Sequence, residues 1–347
     1  SMRLGALEMG LDAMSPRARI YVLPCIAGHV GADAAAVALS EQPGKSEDLV
    51  LIVDVGTNAE LLLGNTERVL ACSSPTGPAF EGAQISAGQR AAPGAIERIR
   101  IDKDTLEPRF KVIGVDEWSD EDGFSEKIDS VGVTGICGSG IIEAVAEMYL
   151  AGLITEDGVI DGAMAARSAR VRPQGRTFSY VIAEDGIEIS ILQTDIRAIQ
   201  LAKGALYAGI KLLQDKLGSD HIDRIRLAGA FGSYIEPKYA MILGLIPDCA
   251  LDGVSGIGNA AGTGARMALL NRGHRREIEK TVREIEKIET ALEPKFQEHF
   301  VNAMALPNKV DPFLNLRAAV DLPDRKDPAE NEGSGESEGR RRRRRRG

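Results

Sequence analysis

Residues 49–65 read LVLIVDVGTNAELLLGN, and this stretch decides the fold. Its first half is an almost unbroken apolar run that ends in Asp54 and Gly56. It is too short to cross a membrane, and it is apolar at consecutive positions, as a strand buried on both faces must be. Two further strand-like runs follow at residues 60–64 and 68–73. Three strands joined by turns this short form an antiparallel meander. The first turn carries the chemistry. A carboxylate at the end of a buried strand can orient a metal-bound water, and a tight Gly-Thr hairpin offers N–H and hydroxyl donors to a phosphate. Asp, Gly and Asn also build plain β-turns, but a plain turn does not explain a carboxylate at the end of so apolar a strand.

Upstream lie a short strand at 19–24, an Ala-rich helix at 31–39 and a breaker-rich linker at 42–48. Downstream, residues 139–153 carry apolar positions at helical spacing, and 177–193 read as a hairpin turning at Asp185-Gly186. Thr194 is expected to cap a long helix running to about Leu217. Residues 222–227 are a buried strand entering the glycine turn LAGAFG, and 258–270 are a glycine turn entering a helix. Segments 101–130 and 155–176 read as polar, irregular and peripheral, and 275–300 should hold an element that closes the domain. The order βββ-α-β-α-β-α, with glycine turns at strand ends, predicts a mixed α/β sheet with helices on its faces.

Two more turns fall where strands end or helices begin. In TGICGSG (134–140), glycines at a helix start let backbone approach an anion. Cys137 there reads as a small packing residue or as a thiol with a lowered pKa. In AGAFG (228–232), small residues would let a flat base slide against backbone, or let helix pack on strand. On the long helix, Arg197, Gln200 and Lys203 share a face, which is either solvated or, at Lys203, turned toward phosphate.

Composition removes other classes. The chain has 347 residues, 44% hydrophobic and 27% charged, enough for a sizeable core. Cys25, Cys72, Cys137 and Cys249 are far apart, against a disulfide scaffold, a cysteine-rich zinc site or a locally bound iron–sulfur cluster, and toward a reducing cytoplasm. The four histidines show no ligand spacing, and neither a GxSxG elbow nor a P-loop occurs. The net charge is −9; without the seven arginines at 340–346 it is −16. So acidic a body is a poor binder of nucleic acid or anionic membrane. From about residue 321 the Glu/Ser/Gly-rich composition predicts a disordered tail. The Ser1-Met2 start reads as the remnant of a cleaved tag on a chain that begins inside a longer protein.

Taken together the turns resemble the ASKHA superfamily of acetate and sugar kinases, Hsc70 and actin. One branch is closer. LPCIAGHVGAD, DVGTNAELLLGN, ACSSPTGPAFEGAQ, APGAIERI, TGICGSGIIEAVAEM, TDIRAIQLAKGALYAGI and LAGAFGSYI occur in the order found in ATP-dependent reductive activators of corrinoid proteins. The resemblance implies an actin-like, RNase H-like lobe that uses ATP and Mg²⁺ to help return a corrinoid protein, or a cobalamin-dependent methyltransferase, from Co(II) to Co(I). It implies that Asp54 orients Mg²⁺ through water and that Gly56, Thr57 and Asn58 face phosphate. Gly138, Ser139 and Gly140 would line the phosphate pocket, with Lys203 beside them, and Gly229, Ala230, Phe231 and Gly232 the adenine. Ser73, Ser74 and Pro75 would face the corrinoid.

The family's first lobe has its own DxGTT hairpin, and its cluster-binding cysteines sit on a ferredoxin-like domain; neither motif is in this sequence. The expected parse is therefore the end of a first lobe at 1–47, a second lobe at 48–308 and an extension with tail at 309–347. The iron–sulfur cluster is expected on a separate domain. A weaker parse makes Asp185-Gly186 the second hairpin. Two rival functions stand beside the main one: an ASKHA activator of a radical 2-hydroxyacyl-CoA dehydratase, with Cys137 at its glycine turn, and a docking module that binds a corrinoid protein without ATP. A homodimer is a further expectation.

Overall fold

The chain opens on an antiparallel pair, β1 (Met2–Gly5) with β2 (Arg19–Val22), followed by helix α1 (Ala32–Glu41). Next comes the predicted meander, β3 (Val50–Val55), β4 (Ala59–Gly64) and β5 (Val69–Ser74), paired antiparallel without a register break. These descriptions come from a computed structural model that describes residues 1–184 and 186–323, without the side chains of Ala230, Phe231 and Ser233. Asp185 of the rival hairpin and most of the acidic, arginine-rich tail therefore lie outside the described residues.

Between β5 and the long helix sits an insertion. It holds β6 (Ala95–Ile101), β7 (Pro108–Val112), helix α2 (Phe124–Val131), β8 (Gly135–Ile136), helix α3 (Gly138–Leu150) and the antiparallel set β9 (Val171–Gln174), β10 (Thr177–Ala183) and β11 (Ile189–Leu192). The segment 101–130 is thus more regular than its polarity predicts. Its strand alternates, burying Phe110 and Val112, and Ile101, Leu106, Val115 and, on α2, Phe124 reach the core as well.

Helix α4 (Gln193–Leu217) then leads to β12 (Arg224–Ala228), α5 (Gly229–Tyr234) and α6 (Pro237–Leu243). Asp195, not Thr194, satisfies the start of α4. Its Oδ2 accepts from the Leu192 N–H at 2.9 Å, and its Oδ1 accepts from the N–H and hydroxyl of Ser86, both at 2.9 Å. The chain continues through β13 (Val254–Gly258), α7 (Ala260–Leu270), α8 (Arg272–Glu284), β14 (Glu286–Lys287), α9 (Phe296–Asn302) and α10 (Leu314–Ala319).

The main sheet runs β13-β12-β3-β4-β5-β14, with β12 parallel to β3, β13 to β12, and β14 to β5. Both faces are covered, which is why residues 49–53 are continuously apolar. Leu51, Val53, Leu61 and Cys72 face α4 and the insertion. Val50, Ile52, Leu62 and Ala71 face α1 and α7. These two helices touch backbone to backbone: a Cβ on Gly264 would lie 1.9 Å from the Ala36 carbonyl oxygen. The parse boundary at residue 47 is therefore no gap in packing, because α1 covers the sheet of the segment that follows it.

Candidate functional site

The parallel strands β3 and β12 end together, and the register there builds a row across the sheet. Ala228 pairs with Asp54, Asp54 with Glu60, and Glu60 with Ser73. Val50, Ile52 and Asp54 alternate onto one face, so the apolar floor under α1 gives way to a carboxylate at the sheet's edge. The carboxyl ends of parallel strands are where ligands meet open α/β sheets.

The hairpin tip is fixed by side chains beyond the motif. The Gly56 N–H donates to the Asn58 carbonyl at 3.0 Å, and the Gly77 N–H to that of Thr57 at 2.9 Å. The Thr76 hydroxyl lies 2.9 Å from the Gly56 carbonyl oxygen and 3.1 Å from that of Thr57. The Thr57 hydroxyl donates to Glu81 at 3.0 Å, while Thr57 and Asn58 stay exposed. Beside the hairpin, Gly229 has φ +82°, and a Cβ there would stand 2.9 Å from Asp54 Oδ1. Only glycine lets this turn close against the carboxylate.

Two clefts flank the tip. One, of about 510 Å³, holds Asn58, Glu60, Ser73, His29 and Asp33, the last from the first turn of α1. The other, of about 440 Å³, is lined by Phe80, Glu81, Ile113, Cys137, Ser139 and Tyr234. The first is acidic. Burial, and then the charge of Asp33, raise the Asp54 carboxyl above its ordinary range. Burial, Asp33 and Asp54 push Glu60 up to about 7, opposed by the Ser73 hydroxyl, which donates to it at 3.2 Å.

Most expected residues converge here. Asp54, Gly56, Thr57, Asn58 and Gly229 share the sheet edge, and Gly138 and Ser139 line the second cleft. Gly140 and Gly232 serve packing: a Cβ would fall 2.4 Å from the Ile96 carbonyl oxygen and 2.7 Å from that of Leu227. Ala230 and Phe231 stand in α5, but their side chains lie outside the described residues.

Two expectations are corrected. Lys203 is fully buried and faces away from both clefts, and its ammonium donates to the carbonyls of Ala303, Ala305 and Pro307. Ser74 is also buried and donates to the Ala205 carbonyl at 2.6 Å; only Ser73 and Pro75 of that loop reach the surface. Sequence reasoning missed Asp33, Glu60 and Thr76. Glu60 lies inside the hairpin motif, but strand register is what sets it across from Asp54.

The family described as the C-terminal domain of RACo, the ASKHA domain, matches residues 48–317. The chain belongs to this family. The RACo-type domain here is 34% identical over 307 residues to "Corrinoid activation enzyme RamQ" of Eubacterium limosum, covering 84% of this chain and 49% of that one. It is 30% identical over 242 residues to a "[Co(II) methylated amine-specific corrinoid protein] reductase" of Methanosarcina barkeri, covering 67% and 41%. A solved "Reductive activator for corrinoid,iron-sulfur protein" superposes with TM-score 0.77 at 32% identity over 92% of this chain and 48% of that one. The chain spans about half the length of these relatives. Among the described residues no helix is long and apolar enough to cross a membrane.

A RACo-type domain implies a nucleotide, and the edge suits one with its cation. Among the described residues no group of three His, Cys, Asp or Glu is placed to hold a metal directly. Mg²⁺ commonly keeps several waters and takes only one or two carboxylates together with phosphate oxygens, which is the donor set that Asp54 and its neighbour Asp33 offer. Burial first, and then a surplus of negative charge from Asp33, raises Asp54 and Glu60, and a cation would relieve that repulsion.

That surplus has a pH signature. Glu60 titrates near 4.5 when unfolded and near 7 when folded, so between these values the folded chain holds the extra proton. The stability this contributes is full below 4.5 and lost as pH rises through 7. The melting temperature of the metal-free chain is expected to fall from pH 5 to pH 8 more steeply than that of Glu60→Gln. Parallel profiles for the two proteins would refute the assignment.

Proposed function

We propose that this chain is the nucleotide-handling domain of an ATP-dependent reductive activator, which returns a corrinoid protein from Co(II) to Co(I). The observation that carries the reading is the register that sets Asp54 beside the Gly229 turn and the Thr57–Asn58 tip, on the edge between two clefts. In this reading the hairpin N–H groups and the exposed Thr57 and Asn58 grip the phosphates. The base lies in the cleft walled by Phe80, Ile113 and Tyr234, where apolar surface suits a flat ring. This gives Gly138 and Ser139 to the base, not to the phosphates as the sequence suggests, and shifts the base from Gly229–Gly232 toward Tyr234. Asp54 would hold Mg²⁺, and the bound ion would neutralise charge on the phosphates. Asp33 would share the cation with Asp54, and Glu60, in the same cleft, would orient a water beside the terminal phosphate.

In this reading the partner's cobalt would gain one electron, an iron–sulfur centre on a separate domain would supply it, and ATP hydrolysis would provide the driving force. Ser73 and Pro75, at the mouth of the acidic cleft, are the proposed contacts for the corrinoid partner, and self-association as a homodimer belongs to the same proposal. The dehydratase-activator reading is weaker. It needs Cys137 presented to a cluster between subunits, whereas Cys137 is 2% exposed, with its sulfur 3.3 Å from the Ser139 hydroxyl.

Calorimetry on the full chain tests the reading. Mg-ATP is expected to bind with Kd of about 1 µM to 1 mM, the span of ordinary enzyme–substrate affinities. No detectable Mg-ATP binding, with corrinoid-protein binding retained, would favour the docking-module reading instead.

A further inference from the structure

A charged network lies between three elements and takes part in none of the steps above. Glu143 of α3, 2% exposed, accepts from Arg98 Nη1 at 3.0 Å, from Arg100 Nη1 at 2.6 Å and from the Ile99 N–H at 3.0 Å. The same two guanidinium groups reach Glu236, at 3.4 Å from Arg98 and 3.1 Å from Arg100. Arg100 also lies over the rings of Tyr239, at 4.8 Å, and Trp118, at 5.6 Å. Lys238 joins the two arginines, 3.8 Å from Glu236 Oε1, so each carboxylate of the network faces at least two cations. An apolar contact of the same volume would hold these elements together at least as well. A planar fork adds direction: it fixes the angle and distance at which its carboxylates sit.

Two of the network's elements line the 440 Å³ cleft, and the third follows directly on a residue that does. Helix α3, which holds Glu143, begins at Gly138 and Ser139. Strand β6, which holds both arginines, contributes Glu97, whose carbonyl accepts from the Ser139 hydroxyl at 3.2 Å. Glu236 follows two residues after Tyr234, the end of the turn that starts at Gly229. We infer that Arg98 and Arg100 are positioning residues: through Glu143 and Glu236 they set the gap between Tyr234 and the α3 N-terminus, and so the fit of the cleft to a nucleotide base. This rests on the proposed placement of the base in that cleft.

The test is Glu236→Gln in the full chain, titrated with Mg-ATP and, separately, with Mg-tripolyphosphate, which has phosphates but no base. Glu236 is about one-third exposed, so the change removes a charge without opening a void. Mg-ATP affinity is expected to fall about 5- to 10-fold, the range of modest coupling between sites, with tripolyphosphate affinity unchanged. Trp118, the single tryptophan of the chain, gives a second readout: Mg-ATP should change its emission in the parent, and that change should be lost in the variant. Equal Mg-ATP affinity in parent and variant overturns the inference, and so does an equal loss for both ligands, which a merely structural role produces. A parent that binds neither ligand overturns the proposed function and this inference with it. If Glu236→Gln does not fold, Arg98→Lys keeps the charge, removes the fork and is read by the same criteria.

Discussion

Asp54→Asn is expected to weaken Mg-ATP binding by about 10- to 100-fold, the worth of one charge-assisted contact at about 1.5–3 kcal/mol. Binding of ATP without metal should not weaken and should tighten slightly, because the carboxylate acts on the cation and, without it, only repels the phosphates held by the hairpin. The same substitution should raise the melting temperature of the metal-free chain. Asp54 sits partly buried beside Asp33 and across from Glu60, and burial and repulsion push its carboxyl above the ordinary range. An amide of the same shape removes that repulsion and still presents an oxygen toward the Gly229 turn.

The two effects therefore have opposite signs, and this separates a ligand-holding carboxylate from a structural one. A structural aspartate would lose stability and take binding with it. Functional sites hold charge that the fold alone would avoid, so stabilising such a site at the expense of its ligand is the expected trade. Calorimetry with and without Mg²⁺, alongside thermal unfolding, reads both signs. Unchanged Mg-ATP affinity, or a lower melting temperature, would remove Asp54 from the proposed role.

The hairpin was legible because its signal is local. Residues 49–53 are apolar at consecutive positions only because helices cover both faces of β3, and Asp54 breaks that run at the sheet's edge. Glu60 and Ser73 lay within motifs that sequence alone singles out, but their convergence with Asp54 depends on strand register. Asp33 is harder to find, since it arrives from α1, whose position is set by the contact with α7 far along the chain. The period of two separates Ser73, on the Glu60 side, from Ser74, on the α4 side, and a strict reading of β5 would have kept only the first. Glycines were the least readable. Gly229 answers to the site, whereas Gly140, Gly232 and Gly264 answer to backbone contacts that sequence does not announce.

Lys203 is the clearest case in which a pattern gave the wrong partner, and it leads to the largest stability effect expected here. Its spacing with Arg197 and Gln200 suggests a polar face, but the C-terminal segment covers that face of α4. Gln200 donates to the carbonyls of Asp157, at 2.9 Å, and Met304, at 2.8 Å. Lys203 donates to Ala303, to Ala305 at 2.7 Å and to Pro307 at 2.9 Å. Burial draws its amine well below the ordinary lysine range, and three carbonyl oxygens supply the acceptors that three ammonium hydrogens need. Lys203→Ala leaves those carbonyls without their donor and opens a void. The expected loss is about 2–5 kcal/mol, the usual result of truncating a long buried side chain and leaving its acceptors unpaired. Lys203→Met refills the volume but restores no donor, so it should recover only part of the loss. Urea unfolding of the full chain measures both. Mg-ATP affinity, taken well below the melting temperature, should match the parent for either variant. A lysine that gripped phosphate would behave the opposite way, with affinity lost and stability kept, and that outcome would return Lys203 to the nucleotide site.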